Sequence, residues 1–202
     1  MTRELMARGD WNTNAAMIAD IAAAFPEWFE GTVFDMTYGL GSFWADYRPV
    51  NLTASDKNPD KGDVSFCFRS PIPTLTRQCD LVVFDPPYRL SGTKDLDEFD
   101  ERYGLEDLPD WDVPFAIAAG VVNGLRCLRP GGRMMVKVQD QQWCGKLASQ
   151  TRWVEDAASS CGYTTRHRFV FPTNPRPQPK GRVQKSERSN YSTLLVLGRA
   201  GR

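Results

Sequence analysis

The chain has 202 residues, of which 41% are hydrophobic and 25% charged, and its formal net charge is zero. This length and composition predict a single soluble globular domain, residues 1–202, with a substantial core. No apolar run approaches the ~20 residues that a transmembrane helix needs, so neither a membrane span nor a membrane partner is expected. The first residues, Met1 to Glu4, lack the apolar core of a signal peptide, and we therefore expect a cytoplasmic protein.

Cysteine and histidine usage argues against a metal site. The five cysteines are odd in number and scattered, and no two of them form a Cys-x-x-Cys pair. The chain has one histidine, His167, which leaves few ligands for a metal ion. We therefore predict that the cysteines are reduced and mostly buried, and that the protein holds no metal.

The zero net charge hides an uneven distribution. Residues 93–112 carry nine acidic against two basic side chains, a net −7, and residues 162–202 carry nine Lys/Arg against one acid, a net +8. Such asymmetry suggests a polyanion-binding face near the C-terminus. The alternative is a solvated surface whose two halves attract each other, and charge alone does not separate the two.

The first predicted element is a helix at residues 12–25. Polar side chains at positions 12–14 can cap its start, and apolar residues recur at helical spacing until Pro26 ends the run. The residues expected to form the apolar face are Ala16, Met17, Ile21 and Phe25.

A predicted strand at 32–36 runs into a turn that contains Gly39 and Gly41. Two glycines spaced by one residue allow the backbone to turn tightly and to approach a ligand. Asp35 ends the strand, and Asp56 lies 21 residues later, after a second predicted strand near 50–55. That interval matches the acid that binds ribose hydroxyls in dinucleotide-binding folds.

After a possible third strand at 64–68, the apolar run 81–84 reads as a short buried strand, which ends in Asp85-Pro86-Pro87-Tyr88. Consecutive prolines cannot continue a sheet ladder, because neither has an N–H to donate. The stretch therefore fixes an acid, a free carbonyl and an aromatic ring at the carboxyl end of a strand, where open α/β sheets bind ligands. An ordinary turn is the alternative.

The second half of the chain continues the alternation of strands and helices. Residues 89–111 are polar and are predicted to form a loop or short-helix lid. A helix capped by Asp112 follows, with Ala118, Val121, Val122, Leu125 and Leu128 on its apolar face, and a strand is expected at 133–138.

The last predicted elements are a helix at 146–161, with Leu147, Trp153, Val154 and Ala157 facing inward, and strands at 163–171 and 192–198. Between these two strands, residues 172–190 contain four prolines and five Lys/Arg, which predicts an extended basic insertion. The succession is of the βαβ type and ends in an antiparallel pair.

Three of these stretches resemble the S-adenosylmethionine-dependent class I methyltransferases. Asp85-Pro86-Pro87-Tyr88 resembles the D-P-P-Y motif of the amino-methyltransferases, which methylate exocyclic amines of nucleobases. The turn at Gly39 and Gly41 resembles motif I of the class, usually Asp-Pro-Phe-x-Gly-Ser-Gly. The junction at 128–132 into the following strand also resembles these enzymes, and the resemblance extends over residues 12–198.

The chain departs from motif I at three positions, which puts the individual cofactor contacts in question. Met36 and Thr37 replace the residues that usually follow the aspartate, and Tyr38 precedes the first glycine.

The resemblance implies a Rossmann-like fold: a seven-stranded, mostly parallel α/β sheet with an antiparallel last strand and helices on both faces. It implies S-adenosylmethionine as the cofactor and catalysis by Asp85, Pro86, Pro87 and Tyr88. Asp35 would face the amino-acid end of the cofactor and Asp56 its ribose. The cofactor-binding residues carried over are Asn14, Asp35, Thr37, Tyr38, Gly39, Gly41, Asp56 and Lys57.

The function that the resemblance implies is methylation of adenine N6 in DNA, with the base flipped out of the duplex onto Asp85-Pro86-Pro87-Tyr88. The same motif leaves open an RNA adenine-N6 or guanine-N2 methyltransferase and a DNA cytosine-N4 methyltransferase. A catalytically silent, nucleic-acid-binding subunit is the alternative of another class.

We expect Lys180, Arg182, Lys185 and Arg188 of the basic insertion to contact nucleic-acid phosphates. No separate target-recognition domain is evident, so specificity would be short, relaxed or supplied by a homodimer or partner subunit.

Overall fold

The computed structural model describes residues 10–90, 109, 111–172 and 190–200. The helices in this part of the chain are α1 (Asn14–Ala24), α2 (Val113–Cys127) and α3 (Gln150–Ser160). The strands are β1 (Val33–Asp35), β2 (Leu52–Asp56), β3 (Val64–Ser65), β4 (Cys79–Phe84), β5 (Leu128–Val138), β6 (Gln141–Trp143), β7 (Lys146–Ala148), β8 (Tyr163–Pro172) and β9 (Tyr191–Arg199).

Seven strands form one sheet in the order β3-β2-β1-β4-β5-β9-β8. The five strands from β3 to β5 run parallel, and β9 runs antiparallel between β5 and β8. The strand order reverses between β1 and β4, so the carboxyl ends of these two strands lie side by side at the switch point where open α/β sheets bind ligands. The predicted fold class is confirmed.

Each face of the sheet has its own core. Leu81 and Val83 of β4 pack in a cluster with α1, while Val82 and Phe84 pack in a second cluster with α2 and α3. Side chains alternate between the faces of a strand, and here both faces are covered by helices, which explains why the β4 sequence is apolar without alternation.

The predicted starts of the first two helices have different outcomes. Thr13 is the N-cap of α1, and its hydroxyl accepts a hydrogen bond from Ala16 N. Asp112 occupies the N-cap position of α2, but its side chain makes no capping hydrogen bond. Its carboxylate lies instead 2.9 Å from Arg69, in an ion pair.

The prediction of a helix over 146–161 is wrong in its first turn. Lys146–Ala148 pairs antiparallel with β6 as a hairpin, and Leu147, predicted to face inward, is 61% exposed. Cys144 and Gly145 have positive φ angles of 48° and 75°, which reverse the chain between the two strands. The apolar residues of this short segment were not enough to distinguish a hairpin strand from a helical turn.

The helix begins at Gln150, where a carboxylate from outside the helix caps it. Asp140 Oδ1 accepts a hydrogen bond from Thr151 N at 2.9 Å, and Asp140 Oδ2 accepts one from the Thr151 hydroxyl at 2.9 Å. Asp140 therefore connects the end of β5 to the start of α3 and holds the hairpin between them.

Other differences from the predicted elements are small. The third strand is Val64–Ser65 alone, although Phe66 and Phe68 pack against the core beyond it. The strand predicted at 133–138 begins earlier, at Leu128. Most of the predicted lid at 89–111 and of the predicted basic insertion at 172–190 lies outside the described residues.

Within the described part of the chain, no helix is long and apolar enough to cross a membrane, and no group of three acidic, histidine or cysteine side chains could hold a metal ion. The five cysteines are free thiols. Cys79 and Cys127 are buried, Cys67 and Cys161 are half-buried, and Cys144 is exposed, so burial is less general than predicted.

Candidate active site

The turn after β1 depends on its two glycines. Gly39 and Gly41 have φ angles of 56° and 70°, in the left-handed region that favours glycine. The ring of Tyr38 folds against Gly41, where an added Cβ would lie 2.5 Å from the Tyr38 hydroxyl oxygen. The same hydroxyl accepts a hydrogen bond from Arg48 at 2.7 Å, which fixes the ring beside the turn.

Asp56, at the end of β2, holds this turn in place. Its Oδ2 accepts a hydrogen bond from Gly39 N, and its Oδ1 accepts one from Asn58 N, both at 2.9 Å. Each carboxylate oxygen has a further lone pair, so these bonds leave capacity for a ligand hydroxyl. The fold therefore places Asp56 beside the glycine turn. The contact between Asp56 and a ribose stays a prediction.

Asp35 lies beneath the turn rather than in the open. Its Oδ1 accepts a hydrogen bond from Thr37 N at 2.9 Å, and its Oδ2 accepts one from Trp44 Nε1 at 2.7 Å. Burial raises the pKa of Asp35 to about 7, the hydrogen bonds oppose that rise, and the charges of Asp85 and Asp56 add to it. A cation bound nearby would therefore favour the ionised form of this carboxyl group.

Thr37 joins the glycine turn to the Asp85-Pro86-Pro87-Tyr88 stretch. The Asp85 N–H donates a hydrogen bond to Thr37 Oγ1 at 2.8 Å, and Met36 N donates one to Val83 O at 2.9 Å. The Thr37 hydroxyl thus attaches the backbone of Asp85 to the glycine turn.

If the chain transfers a methyl group as its resemblance implies, replacing Thr37 with valine should slow that transfer more than it weakens cofactor binding. Valine has the same shape but no acceptor for the Asp85 N–H, and an unpaired buried donor costs about 1–3 kcal/mol. Thr37→Ser, which keeps the hydroxyl, is the matched control and should retain the wild-type rate. Calorimetry with S-adenosylmethionine and a single-turnover rate measure the two properties separately. A Thr37→Val protein with the wild-type rate would contradict this role.

Asp85 presents an unsatisfied acceptor at the carboxyl end of β4. Its side chain is 28% exposed, yet Oδ1 is buried and has no hydrogen-bond partner among the described residues. Lys137 Nζ lies 3.7 Å from Oδ1, beyond hydrogen-bonding distance. Burial raises the pKa of Asp85 and the charge of Lys137 lowers it. A buried carboxylate oxygen without a donor is costly, and a bound amine would supply that donor.

Tyr88 is held at both ends. Its hydroxyl accepts a hydrogen bond from Lys137 Nζ at 2.9 Å. Its backbone carbonyl accepts two more, from Gln141 Nε2 at 2.7 Å and Gln150 Nε2 at 2.6 Å. The intervening Pro86 is buried and Pro87 half-buried, so the stretch forms a rigid edge beside the glycine turn.

The predicted site also has contacts with residues that the sequence did not single out. Trp44 and Arg48 bond to Asp35 and Tyr38, and the Asp85-Pro86-Pro87-Tyr88 stretch is contacted by Lys137, Gln141 and Gln150. The sequence contains a signal that could have identified Lys137, because this residue is charged and lies inside the apolar strand segment 134–138. The glutamines had none, since Gln141 starts a hairpin strand and Gln150 starts a helix, both ordinary places for a polar side chain.

The remaining predicted residues have looser connections. Asn14 is the first residue of α1, and this helix packs on the short 3₁₀ turn Ser42–Trp44 after Gly41. The side-chain oxygen Oδ1 of Asn14 is buried and has no hydrogen-bond partner among the described residues. Lys57 follows Asp56 and is exposed. The four basic residues assigned to nucleic-acid binding lie outside the described residues.

No protein-family model matches the chain, and no curated protein sequence does. Solved structures do match. TrmN from Thermus thermophilus superposes with a TM-score of 0.51 at 14% identity over 92% of this chain, which spans 48% of TrmN. PH1948 from Pyrococcus horikoshii, provisionally assigned as an RNA methyltransferase, has a TM-score of 0.54 at 13% identity, covering 92% of this chain and 82% of that one.

A S-adenosylmethionine-dependent methyltransferase from Leishmania major has a TM-score of 0.55 at 9% identity, with 92% of this chain and 72% of that chain covered. At these identities the likeness concerns the fold. The chain has the Rossmann-like fold that S-adenosylmethionine-dependent methyltransferases use.

Proposed function

We propose that this protein is a S-adenosylmethionine-dependent methyltransferase that acts on an exocyclic nucleobase amine, with adenine N6 in DNA as its target. The observation that carries the proposal is the buried carboxylate oxygen of Asp85, which accepts no hydrogen bond from the described residues and lies 3.7 Å from Lys137 Nζ. It stands at the switch point of the sheet, one hydrogen bond away from the glycine turn, with the Tyr88 ring three residues further on. This is the edge where α/β sheets hold a cofactor and its substrate together.

The residues at this edge fit the proposed cofactor. Asp35 and Asp56 end the neighbouring strands β1 and β2, and S-adenosylmethionine is cationic at its sulfonium and amino groups. The positive φ angles of the glycines bring the backbone of the turn close to a ligand, and Asp56 would bind the ribose. The cofactor would supply the methyl group from its sulfonium sulfur, which keeps the bonding electrons.

Asp85 and Pro86 would prepare the amine. The lone pair of an exocyclic amine is delocalised into the ring, which makes the nitrogen a poor nucleophile. If the Asp85 carboxylate and the Pro86 carbonyl each accept one amine hydrogen, they favour a pyramidal nitrogen with its lone pair directed at the methyl group. Methylation would form a nitrogen–carbon bond as the carbon–sulfur bond breaks, and the proton that the amine loses would pass to solvent water. The Tyr88 ring would stack on the flipped base.

An RNA substrate is the second candidate, favoured by the fold similarity to a protein provisionally assigned as an RNA methyltransferase. A silent subunit is less consistent with the site, because such a subunit need keep neither Asp85 nor the glycine turn. Transfer of a labelled methyl group to duplex DNA and to RNA of matched sequence tests the proposal. We expect label in the DNA, in N6-methyladenine. Label in RNA alone would replace the DNA assignment, and no transfer to either would overturn the proposed function.

Replacing Lys180, Arg182, Lys185 and Arg188 together with alanine should weaken DNA binding for all sequences alike. Phosphate contacts release counterions, and each contributes about 0.9 to the log–log slope of affinity against salt for duplex DNA. The quadruple variant should show a flatter slope and unchanged S-adenosylmethionine affinity. Alanine at Lys61, Lys146 and Arg152, basic residues of the described surface, is the control. A wild-type salt slope in the quadruple variant would place the DNA-binding face elsewhere.

A further inference from the structure

Lys137 is a buried lysine in an apolar strand. It lies near the carboxyl end of β5, it is 4% exposed, and its neighbours Val136 and Val138 are fully buried. Taking an ammonium group out of water is expensive unless other groups compensate for the lost hydration. Its Nζ lies 2.9 Å from the Tyr88 hydroxyl and 3.7 Å from Asp85 Oδ1, two side chains of the proposed catalytic stretch.

We propose that Lys137 is a positioning residue for the proposed methyl transfer, whose ammonium group holds the Tyr88 ring and the Asp85 carboxylate in the arrangement that receives the base. The proposal rests on the proposed function, which assigns the reacting amine to Asp85.

Three hydrogen bonds hold the backbone of the stretch. Thr37 accepts from the Asp85 N–H, and Gln141 and Gln150 donate to the Tyr88 carbonyl. These bonds act on the backbone, and the Tyr88 ring also packs, half-buried, against the hydrophobic core. The ammonium group of Lys137 contacts the far end of the ring, at the Tyr88 hydroxyl. Lys137 therefore lies between the two side chains and fixes the Tyr88 hydroxyl relative to the Asp85 carboxylate, which the backbone bonds do not do.

The same ammonium group affects the ionisation of Asp85. Burial raises the pKa of Asp85, and the Lys137 charge opposes that rise. The other charged group shown to interact with Asp85 is Asp35 at the end of β1, whose own pKa the Asp85 charge raises. A protonated Asp85 has one oxygen committed as a donor and accepts an amine hydrogen less well. Removing the lysine charge leaves burial unopposed, so the pKa of Asp85 should move upward and activity should fall at the acid side.

The test compares three substitutions of Lys137. Lys137→Met keeps the length without charge, Lys137→Gln keeps a hydrogen-bond donor for Tyr88 without charge, and Lys137→Arg keeps the charge. Lys146→Met, an exposed lysine on β7, is the matched control. Methyl transfer is measured in single turnovers across pH, S-adenosylmethionine affinity by calorimetry, and Asp85 ionisation by carbon-13 NMR of the carboxyl group.

We expect the two uncharged variants to bind S-adenosylmethionine within about twofold of wild type. In these variants, the acid limb of the pH–rate profile and the pKa of Asp85 should both shift upward by about 1–3 pH units. This is the usual range for a charge at this distance. Lys137→Gln should retain more activity than Lys137→Met at high pH, because it still fixes the ring. Lys137→Arg should restore the wild-type pH profile. If the methionine variant fails to fold, the glutamine variant carries the same comparison.

A rate loss that is equal at every pH, with an unshifted Asp85 titration, would reduce Lys137 to a structural residue and overturn the proposal. So would uncharged variants with the wild-type rate and profile. If the wild-type protein methylates neither DNA nor RNA, the proposed function fails. The NMR titration then still decides the positioning claim, because an unshifted Asp85 in Lys137→Gln would contradict it independently of activity.

Discussion

Replacing Asp85 with alanine should lower methyl transfer by at least about 10²–10³-fold, the effect of removing one positioned polar group from a reaction centre. The carboxylate acts on the target amine, so its loss should leave the affinity for S-adenosylmethionine nearly unchanged. The fold should also persist, because the Asp85 N–H keeps its bond to Thr37 and the buried Lys137 keeps its hydrogen bond to the Tyr88 hydroxyl.

Two further variants sharpen this result. Asp85→Asn keeps the shape and one acceptor oxygen but loses the charge, and should retain part of the rate. Asp156→Ala removes an exposed carboxylate on α3 and should behave as wild type. Single-turnover rates with saturating cofactor, together with thermal unfolding, provide the comparison. Near wild-type turnover of a folded Asp85→Ala protein would refute the amino-methyltransferase assignment.

Replacing Asp56 with alanine should weaken S-adenosylmethionine binding about ten- to hundredfold. The loss of a charge-assisted hydrogen bond to the ribose costs about 1.5–3 kcal/mol, which corresponds to that range of affinity. The structure adds a second cause, because Asp56 also accepts from Gly39 N and Asn58 N, and both donors would lose their partner. Calorimetry of the folded variant measures the effect.

Asp60→Ala is the matched control, since Asp60 is an exposed carboxylate in the turn that follows. Its cofactor affinity should equal that of wild type. Asp56→Asn should fall between the two, because an amide keeps one acceptor oxygen for the turn. If Asp56→Ala bound the cofactor as tightly as wild type, Asp56 would be excluded from the cofactor site.

The sequence was most informative where local chemistry and long-range geometry agree. The apolar run of β4, the prolines after it and the paired glycines after β1 each predict a backbone state without reference to the rest of the chain. The positive φ angles at Gly39 and Gly41 and the parallel pairing of β1 with β4 fulfil those predictions. The seven-stranded sheet follows from the same alternation of strands and helices.

The contacts between residues far apart in the chain could not be predicted from the sequence in the same way. That Lys137 reaches Tyr88, and that Gln150 donates to a carbonyl 62 residues earlier, depends on the order of strands in the sheet rather than on spacing along the chain. The position of the Asp35 carboxylate also differs from the one expected from the sequence. Its position at a strand end suggested an open ligand site, but the indole N–H of Trp44 binds one of its oxygens and draws the carboxylate into the interior. The hairpin at 141–148 was missed because its strands are too short to show alternation.

Nucleoside mass spectrometry tests the central claim most directly. DNA and RNA are prepared from cells that lack adenine methylation of their own and that express either the wild-type protein or Asp85→Ala. We predict N6-methyladenine in the DNA of cells with the wild-type protein and none in the DNA of cells with Asp85→Ala. Absence of any methylated nucleobase amine from both DNA and RNA of wild-type-expressing cells, or equal amounts with Asp85→Ala, would contradict the account.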